Sequence, residues 1–256
     1  MELPVAIVTG GSGGMAPGLI GALLEANFRV VVVARRASDL AAAAAQFTSN
    51  EVIAIPADVT DARSTLDVVG TVLDRFGRID VLVNAAASST PIGGDIEKID
   101  VAALIRDLDV KVGGYLRMIQ AVTPAMKAAG AGRIINIGGL TGRSSDTLSG
   151  LRNAAVAHLT KVLSDQLAPF GITVNAIHPG LVRTPHLTDL LQKTAASRGG
   201  APEDVEDHFV SAVPLGRLLE PIEIGRAVAF LAGPDGATIT GESLTIDGGY
   251  SRGIYL

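Results

Sequence analysis

The chain has 256 residues, 48% of them apolar, with mean hydropathy +0.39, ample material for one α/β core of about 250 residues. Its 21 Lys and Arg against 26 Asp and Glu give a net charge of −5 with no basic run, which argues against nucleic acid as a partner. Cysteine is absent, which excludes disulfides, thiolate metal ligands and cysteine nucleophiles. With no signal-peptide pattern after Met1 and no apolar run approaching about 18 residues, the expectation is a cytoplasmic protein that does not span a membrane.

In chain order, β-branched runs predict strands at 5–8, 30–34, 52–56, 81–84, 134–137, 173–177 and 244–246. Ala- and Leu-rich stretches between them predict helices, among them 19–26, 62–76, 102–129 and 153–170. Nearly continuous apolar strands alternating with helices imply a parallel sheet covered on both faces, a Rossmann-type doubly wound α/β fold. No linker or repeat divides residues 1–256, so a single domain is expected. The polar, glycine-containing stretch 181–214 breaks the rhythm between the sixth and seventh strands. Ligands of such folds sit beyond the carboxyl ends of the strands. A long excursion there reads as a substrate-covering lid, with a plain surface helix pair as the alternative.

The first strand runs into Thr9-Gly10-Gly11-Ser12-Gly13-Gly14-Met15-Ala16-Pro17. Glycines are needed where the backbone turns tightly and where a pyrophosphate approaches too closely for a Cβ. The following helix offers free N–H groups and its positive dipole end to phosphate. The turn therefore predicts dinucleotide binding. The second strand ends Val33-Ala34-Arg35-Arg36 without the acid that would accept a ribose 2′-hydroxyl. Arginine there suits a 2′-phosphate, so NADP(H) is expected, with NAD(H) as the alternative.

From the glycine turn onward the whole chain resembles the short-chain dehydrogenase/reductase family. Ala57-Asp58-Val59 resembles its adenine pocket, and Asn84-Ala85-Ala86-Ala87 its Asn-Asn-Ala-Gly strand end. Gly171 to Thr184, through His178-Pro179-Gly180-Leu181-Val182, is similar to its sixth strand and nicotinamide-side loop. Thr240-Gly241 through Asp247-Gly248-Gly249 is similar to its last strand. The resemblance implies a seven-stranded parallel sheet and a homodimer or homotetramer. It implies cofactor contacts from Thr9, Gly10, Ser12, Gly13, Gly14, Met15, Arg35, Arg36, Asp58, Val59, Asn84, Pro179, Gly180, Val182 and Thr184.

The family's proton machinery is an Asn, Ser, Tyr and Lys tetrad, and this sequence departs from it at all four positions. The Asn place holds Lys111, the Ser place Gly139, the Tyr place Ser149 and the Lys place Asn153. The tyrosines are Tyr115, Tyr250 and Tyr255, none of them between 140 and 170. Lys161 lies about 12 Å further along the helix than Asn153. Ser149 and Asn153 share a helix face and can hydrogen-bond a ligand, but neither titrates in a usable range.

Replacement candidates are Lys111, whose pKa burial can lower, with a helix lysine paired to Asp107 or Asp109 as the alternative, and His178, suited to proton transfer near neutrality, with a packed, hydrogen-bonded strand-end histidine as the alternative. Others are the loop Arg143-Ser144-Ser145-Asp146 and the lid residues Arg183, His186, Asp189 and His208. No metal-ligand spacing such as H-E-x-x-H is present, so no metal is expected. Three functions fit. One is an atypical NADP(H)-linked oxidoreductase acting on a small, partly hydrophobic carbonyl or alcohol. The second is a non-redox isomerase, dehydratase or cyclase. The third is a non-catalytic subunit pairing with an active family member through helices 102–129 and 153–170.

Overall fold

The computed structural model describes residues 2–88, 92–93, 95–142 and 147–253. Seven parallel strands form one sheet in the order β3-β2-β1-β4-β5-β6-β7. They are β1 (Val5–Thr9), β2 (Arg29–Ala34), β3 (Val52–Pro56), β4 (Val81–Asn84), β5 (Gly132–Ile137), β6 (Ile172–Pro179) and β7 (Ser243–Ile246). Each predicted strand is present, with bounds extended by a residue or two in most cases. β1 and β4 are buried at every position, as strands packed on both faces must be.

The helices are α1 (Ala16–Glu25), α2 (Ala37–Ala44), α3 (Ala62–Phe76), α4 (Val101–Leu108), α5 (Gly114–Ala129), α6 (Gly150–Leu167), α7 (Pro185–Arg198), α8 (Pro202–Ser211) and α9 (Pro221–Ala232). One face of the sheet is covered by α1 and α9 through Leu19, Leu23, Ile224 and Val228. The other is covered by α3 and α5 through Val68, Val72, Met118 and Val122. Side chains of this kind contribute about 1.5–3 kcal/mol each on burial. The α1–α9 contact is close: a Cβ on Gly18 would lie 2.1 Å from the Pro221 carbonyl carbon.

The helix predicted over 102–129 is present, running from Val101 to Ala129, but it is not uniform. Between α4 and α5 the chain widens into a π-helical turn, Asp109–Gly113. Gly113 and Gly114 permit it, because a Cβ there would lie 2.6 Å from Asp109 Oδ1 and 2.7 Å from Val59 Cγ2 respectively. Arg117 holds the wide turn, donating to Asp109 Oδ1 at 2.6 Å and to the Val59 carbonyl at 3.3 Å. Such turns often occur at functional sites, and this one carries Lys111. The helix predicted over 153–170 starts three residues earlier, at Gly150, and ends in a 3₁₀ turn, Ala168–Phe170. The stretch 181–214 folds as α7 and α8, closed on each other by Leu187, Leu191, Ala195 and Val205. No helix is long and apolar enough to cross a membrane.

Candidate active site at the carboxyl end of the sheet

A cleft of about 660 Å³ opens where the strand order reverses between β1 and β4. Arg35, Arg36, Asp58 and Val59 line one end, Gly10, Ser12 and Gly13 the floor, and Ala85 to Ser88 with Asp107 the opposite wall. This is the switch point at which doubly wound sheets hold nucleotides.

The glycine turn has the shape of a phosphate cradle. Gly10 sits at φ +72°, and a Cβ there would be 2.7 Å from the Ala85 carbonyl oxygen. Among the described residues, the N–H groups of Ser12, Gly14 and Met15 donate to no backbone carbonyl. They stand at the N-terminus of α1, where the helix dipole also favours an anion. Thr9 acts from below: its hydroxyl accepts from the N–H groups of Ala85 and Ala86 at 3.0 and 3.3 Å and so locks the turn to the β4 loop. Thr184 packs against Gly14, and Val182 bridges to Leu219. Pro179 ends β6, and Gly180 follows it beside Asp247. The residues present therefore fit a dinucleotide.

At the adenosine end the two arginines differ. The Arg36 guanidinium is engaged by Asp39, whereas Arg35 is exposed and forms no ion pair among the described residues. Asp58 accepts from the N–H and hydroxyl of Thr60 through Oδ1 at 2.9 and 2.8 Å, which fixes its carboxylate at the cleft edge. Asn84 does not line the cleft. Its amide is fully buried and donates to Asn136 Oδ1 at 3.0 Å, tying β4 to β5.

Three of the four tetrad places, Lys111, Gly139 and Asn153, come together, while Ser149 stands one helical turn before Asn153. Lys111 points from the π turn beneath the end of β5, with Nζ donating to the Gly138 carbonyl at 2.9 Å and to Asn153 Oδ1 at 2.8 Å. It is 4% exposed. Burial, aided by the Arg152 guanidinium and opposed by Asp107, lowers its pKa to about 7. Asn153 in turn donates from Nδ2 to Thr141 Oγ1 at 2.6 Å. Gly139 allows this, since a Cβ there would lie 2.9 Å from Asn153 Nδ2. Ser149 uses its hydroxyl to accept the Ile92 N–H at 2.9 Å.

The other candidates fall elsewhere. His178 is buried under the Gly138–Gly139 turn, its Nδ1 within 3.3 Å of the Gly139 nitrogen and 3.2 Å of the Gly139 oxygen. Tyr115 donates to the Ile137 carbonyl at 2.9 Å, and burial pushes its phenol well above its usual range, so it cannot serve as an acid or base near neutrality. Arg183 is held by Glu206 and Glu220 at 2.7 and 3.3 Å and pins α8 to the start of α9. His186, Asp189 and His208 are carried on α7 and α8, away from the cleft lining. The loop Arg143-Ser144-Ser145-Asp146 lies outside the described residues. No cluster of three His, Cys, Asp or Glu placed to hold a metal occurs among the described residues.

Sequence reasoning missed Arg152 and Thr141, and it offered Asp107 as a partner of Lys111 where the structure pairs it with Arg152. Arg152 Nη1 donates to Asp107 Oδ1 and to the Ser88 carbonyl, joining α6 to α4 and to the cleft wall. A signal was available for both members of that pair. Asp107 is one helical turn before Lys111, and Arg152 immediately precedes Asn153. Thr141 carried no such signal, because its position depends on the fold of the 3₁₀ turn Leu140–Gly142.

A family model described as enoyl-(acyl carrier protein) reductase matches residues 11–251. The chain is 35% identical over 253 residues to the short-chain reductase protein NovJ of Streptomyces niveus, covering 96% of this chain and 93% of that protein. It is similar to the structure of a single-substitution variant of actinorhodin polyketide ketoreductase with NADPH, at TM-score 0.90 and 30% identity over 98% of each chain. The structure of YwfH, an NADPH-dependent reductase involved in bacilysin biosynthesis, superposes with TM-score 0.90 at 25% identity, covering 99% of this chain and 100% of that one. With its glycine turn, its strand order and these similarities, the chain belongs to the short-chain dehydrogenase/reductase family of oxidoreductases.

Proposed function

We propose that the protein is an NADP(H)-dependent oxidoreductase that interconverts a small, partly hydrophobic ketone and its alcohol, using Lys111 in place of the family's tyrosine and lysine. The observation that carries this reading is the Lys111 amine, buried beside the cleft with a pKa of about 7 and two protein acceptors for its three N–H bonds. A group titrating near the working pH is the most effective at holding and releasing a proton. The dinucleotide supplies hydride when bound. Gly10, Ser12, Gly13, Gly14 and Met15 would hold its pyrophosphate, Arg35 a 2′-phosphate, and Asp58 and Val59 the adenine. Pro179, Gly180, Val182 and Thr184 would border the nicotinamide. We assign α7 and α8 as the lid over the substrate, because they follow the carboxyl end of β6 and rest on the glycine turn through Thr184.

The test is NADPH oxidation by the purified protein with a panel of aliphatic and cyclic ketones. Wild type should turn over at least one member, and Lys111→Met should bind NADPH equally but lose activity by about 100-fold or more, the scale of a lost general acid. Full activity in Lys111→Met would reject the assignment of Lys111.

A second reading concerns assembly. Val101 and Ile105 on α4 and Leu151 and Val162 on α6 are large apolar side chains left exposed. They support pairing of these helices with a second copy of this chain or with an active family member. Light scattering of the purified protein separates the cases: a dimer or tetramer supports self-assembly. A monomer that gains activity only when mixed with a related reductase supports the hetero-oligomer.

A further inference from the structure

The polarity of the hydrogen bonds below the site leads from Lys111 to a hydroxyl that sequence reasoning did not mark. Lys111 only donates when protonated, and it faces Asn153 Oδ1 at 2.8 Å. This fixes the orientation of the Asn153 amide, whose Nδ2 must then point away from Lys111 toward Thr141 Oγ1, at 2.6 Å. An amide NH₂ is a donor only, so the Thr141 oxygen is the acceptor and its own proton is directed elsewhere. Among the described residues that proton meets no acceptor. Thr141 is half-buried in the 3₁₀ turn that leaves β5, at the carboxyl end of the sheet. The neighbouring strand is β4, whose following loop forms the cleft wall.

We propose that Thr141 is the hydroxyl that donates a hydrogen bond to the oxygen of the substrate's carbonyl or alcohol, and that Lys111 and Asn153 exist in part to aim and polarise it. The inference rests on the reading of the protein as a carbonyl oxidoreductase. A chain of hydrogen bonds that starts at a cation strengthens the donor at its far end. The order here is ammonium, amide, hydroxyl. It also accounts for glycine at 139, because only a residue without a side chain leaves room for the Asn153 amide to lie at its place and reach Thr141. No proton is transferred through the amide in this arrangement; the alcohol's proton comes from the third Lys111 N–H, which has no acceptor among the described residues. Thr141 binds and polarises the substrate oxygen, which makes it a binding group for the reacting atom.

The experiment uses the full-length protein in a dead-end complex with NADP⁺ and a ketone carrying ¹³C at the carbonyl, cyclohexanone as the first probe. With the oxidised dinucleotide no reduction occurs, so infrared difference spectroscopy reads the carbonyl stretch of the bound ketone alone. The wild-type complex should show a carbonyl stretch shifted to lower frequency than the free ketone in apolar solvent. Thr141→Ser should keep that shift and Thr141→Val, equal in volume, should lose it. Lys111→Met should retain a smaller shift, because Asn153 is then free to turn. A wild-type carbonyl with no shift, or a shift unchanged in Thr141→Val, would overturn the proposal. Should Thr141→Val fail to fold, the Thr141→Ser and Lys111→Met spectra decide it by the same criteria: a shift lost in Thr141→Ser or undiminished in Lys111→Met rejects it. A ketone that binds with the expected shift yet is never reduced with NADPH would leave Thr141 in place and remove the oxidoreductase reading instead.

Discussion

Replacing Lys111 by Met should remove a pH dependence of stability that the fold imposes. The amine has an ordinary pKa of 10.5 and in the folded protein one of about 7. Between those values the unfolded chain carries a proton that the native chain does not, so native stability rises with pH across the window. Below about pH 7 both states are protonated, the slope vanishes, and the folded protein carries the full burden of a buried charge. The slope within the window is about 1.4 kcal/mol per pH unit, which accumulates to on the order of 5 kcal/mol by the upper limit. Methionine is similar in length and cannot titrate. It strands the Gly138 carbonyl and Asn153 Oδ1 at about 1–3 kcal/mol each, but that loss does not vary with pH. Urea unfolding of both proteins at half-unit steps from about pH 5.5 to about pH 9 isolates the difference. Wild type should gain about 2–3 kcal/mol on the variant between about pH 7 and 9 and nothing between about pH 5.5 and 6.5, the first figure following from the slope above. Parallel stability curves across that range would refute the burial of a neutral amine at this position.

Arg35→Glu should weaken NADPH binding by about tenfold or more, the value of one charge-assisted hydrogen bond, while leaving NADH binding within about twofold; equal losses for both would place the 2′-phosphate elsewhere. Asp107→Ala breaks a buried ion pair with Arg152 and should destabilise the fold by about 3–5 kcal/mol in urea unfolding; a loss under about 1 kcal/mol would mean the guanidinium reaches solvent. Gly139→Ser, which restores the family's serine, should lower both stability and ketone turnover, because its Cβ would displace the Asn153 amide. A rise in turnover would show instead that serine is compatible with the Lys111 arrangement.

The fold was legible because its signals are local. Every strand is a β-branched run between breakers, and the glycine turn announces itself by composition at the end of β1. The π turn between α4 and α5 was not legible from periodicity, because Val101 to Ala129 keeps an apolar stripe through it. Only the Gly113-Gly114 pair hinted at it, and its meaning depends on Asp109 and Val59, which pack from outside the glycines. In the site, Lys111 and Asn153 were marked individually, but their contact crosses 42 positions of sequence and is made by the sheet bringing α6 under β5. The two arginines at the end of β2 read alike in the sequence. Asp39 distinguishes them, three residues on from Arg36 in the first turn of α2, and it acts through geometry that the sequence does not display. Thr141 lies in a turn between two elements, where neither periodicity nor spacing constrains what a side chain meets.

The central claim, that this chain moves hydride between NADP(H) and a carbonyl with Lys111 holding the proton, is tested most directly by isotope transfer. Wild-type protein is incubated with NADPH carrying deuterium at C4 and with a ketone it turns over, and the product alcohol is analysed by mass spectrometry and NMR. The predicted result is one deuterium on the carbinol carbon from one face of the nicotinamide, with product formation abolished in Lys111→Met. Product without deuterium from either C4-labelled isomer, or bound NADPH with no alcohol from any ketone in the panel, would contradict the account.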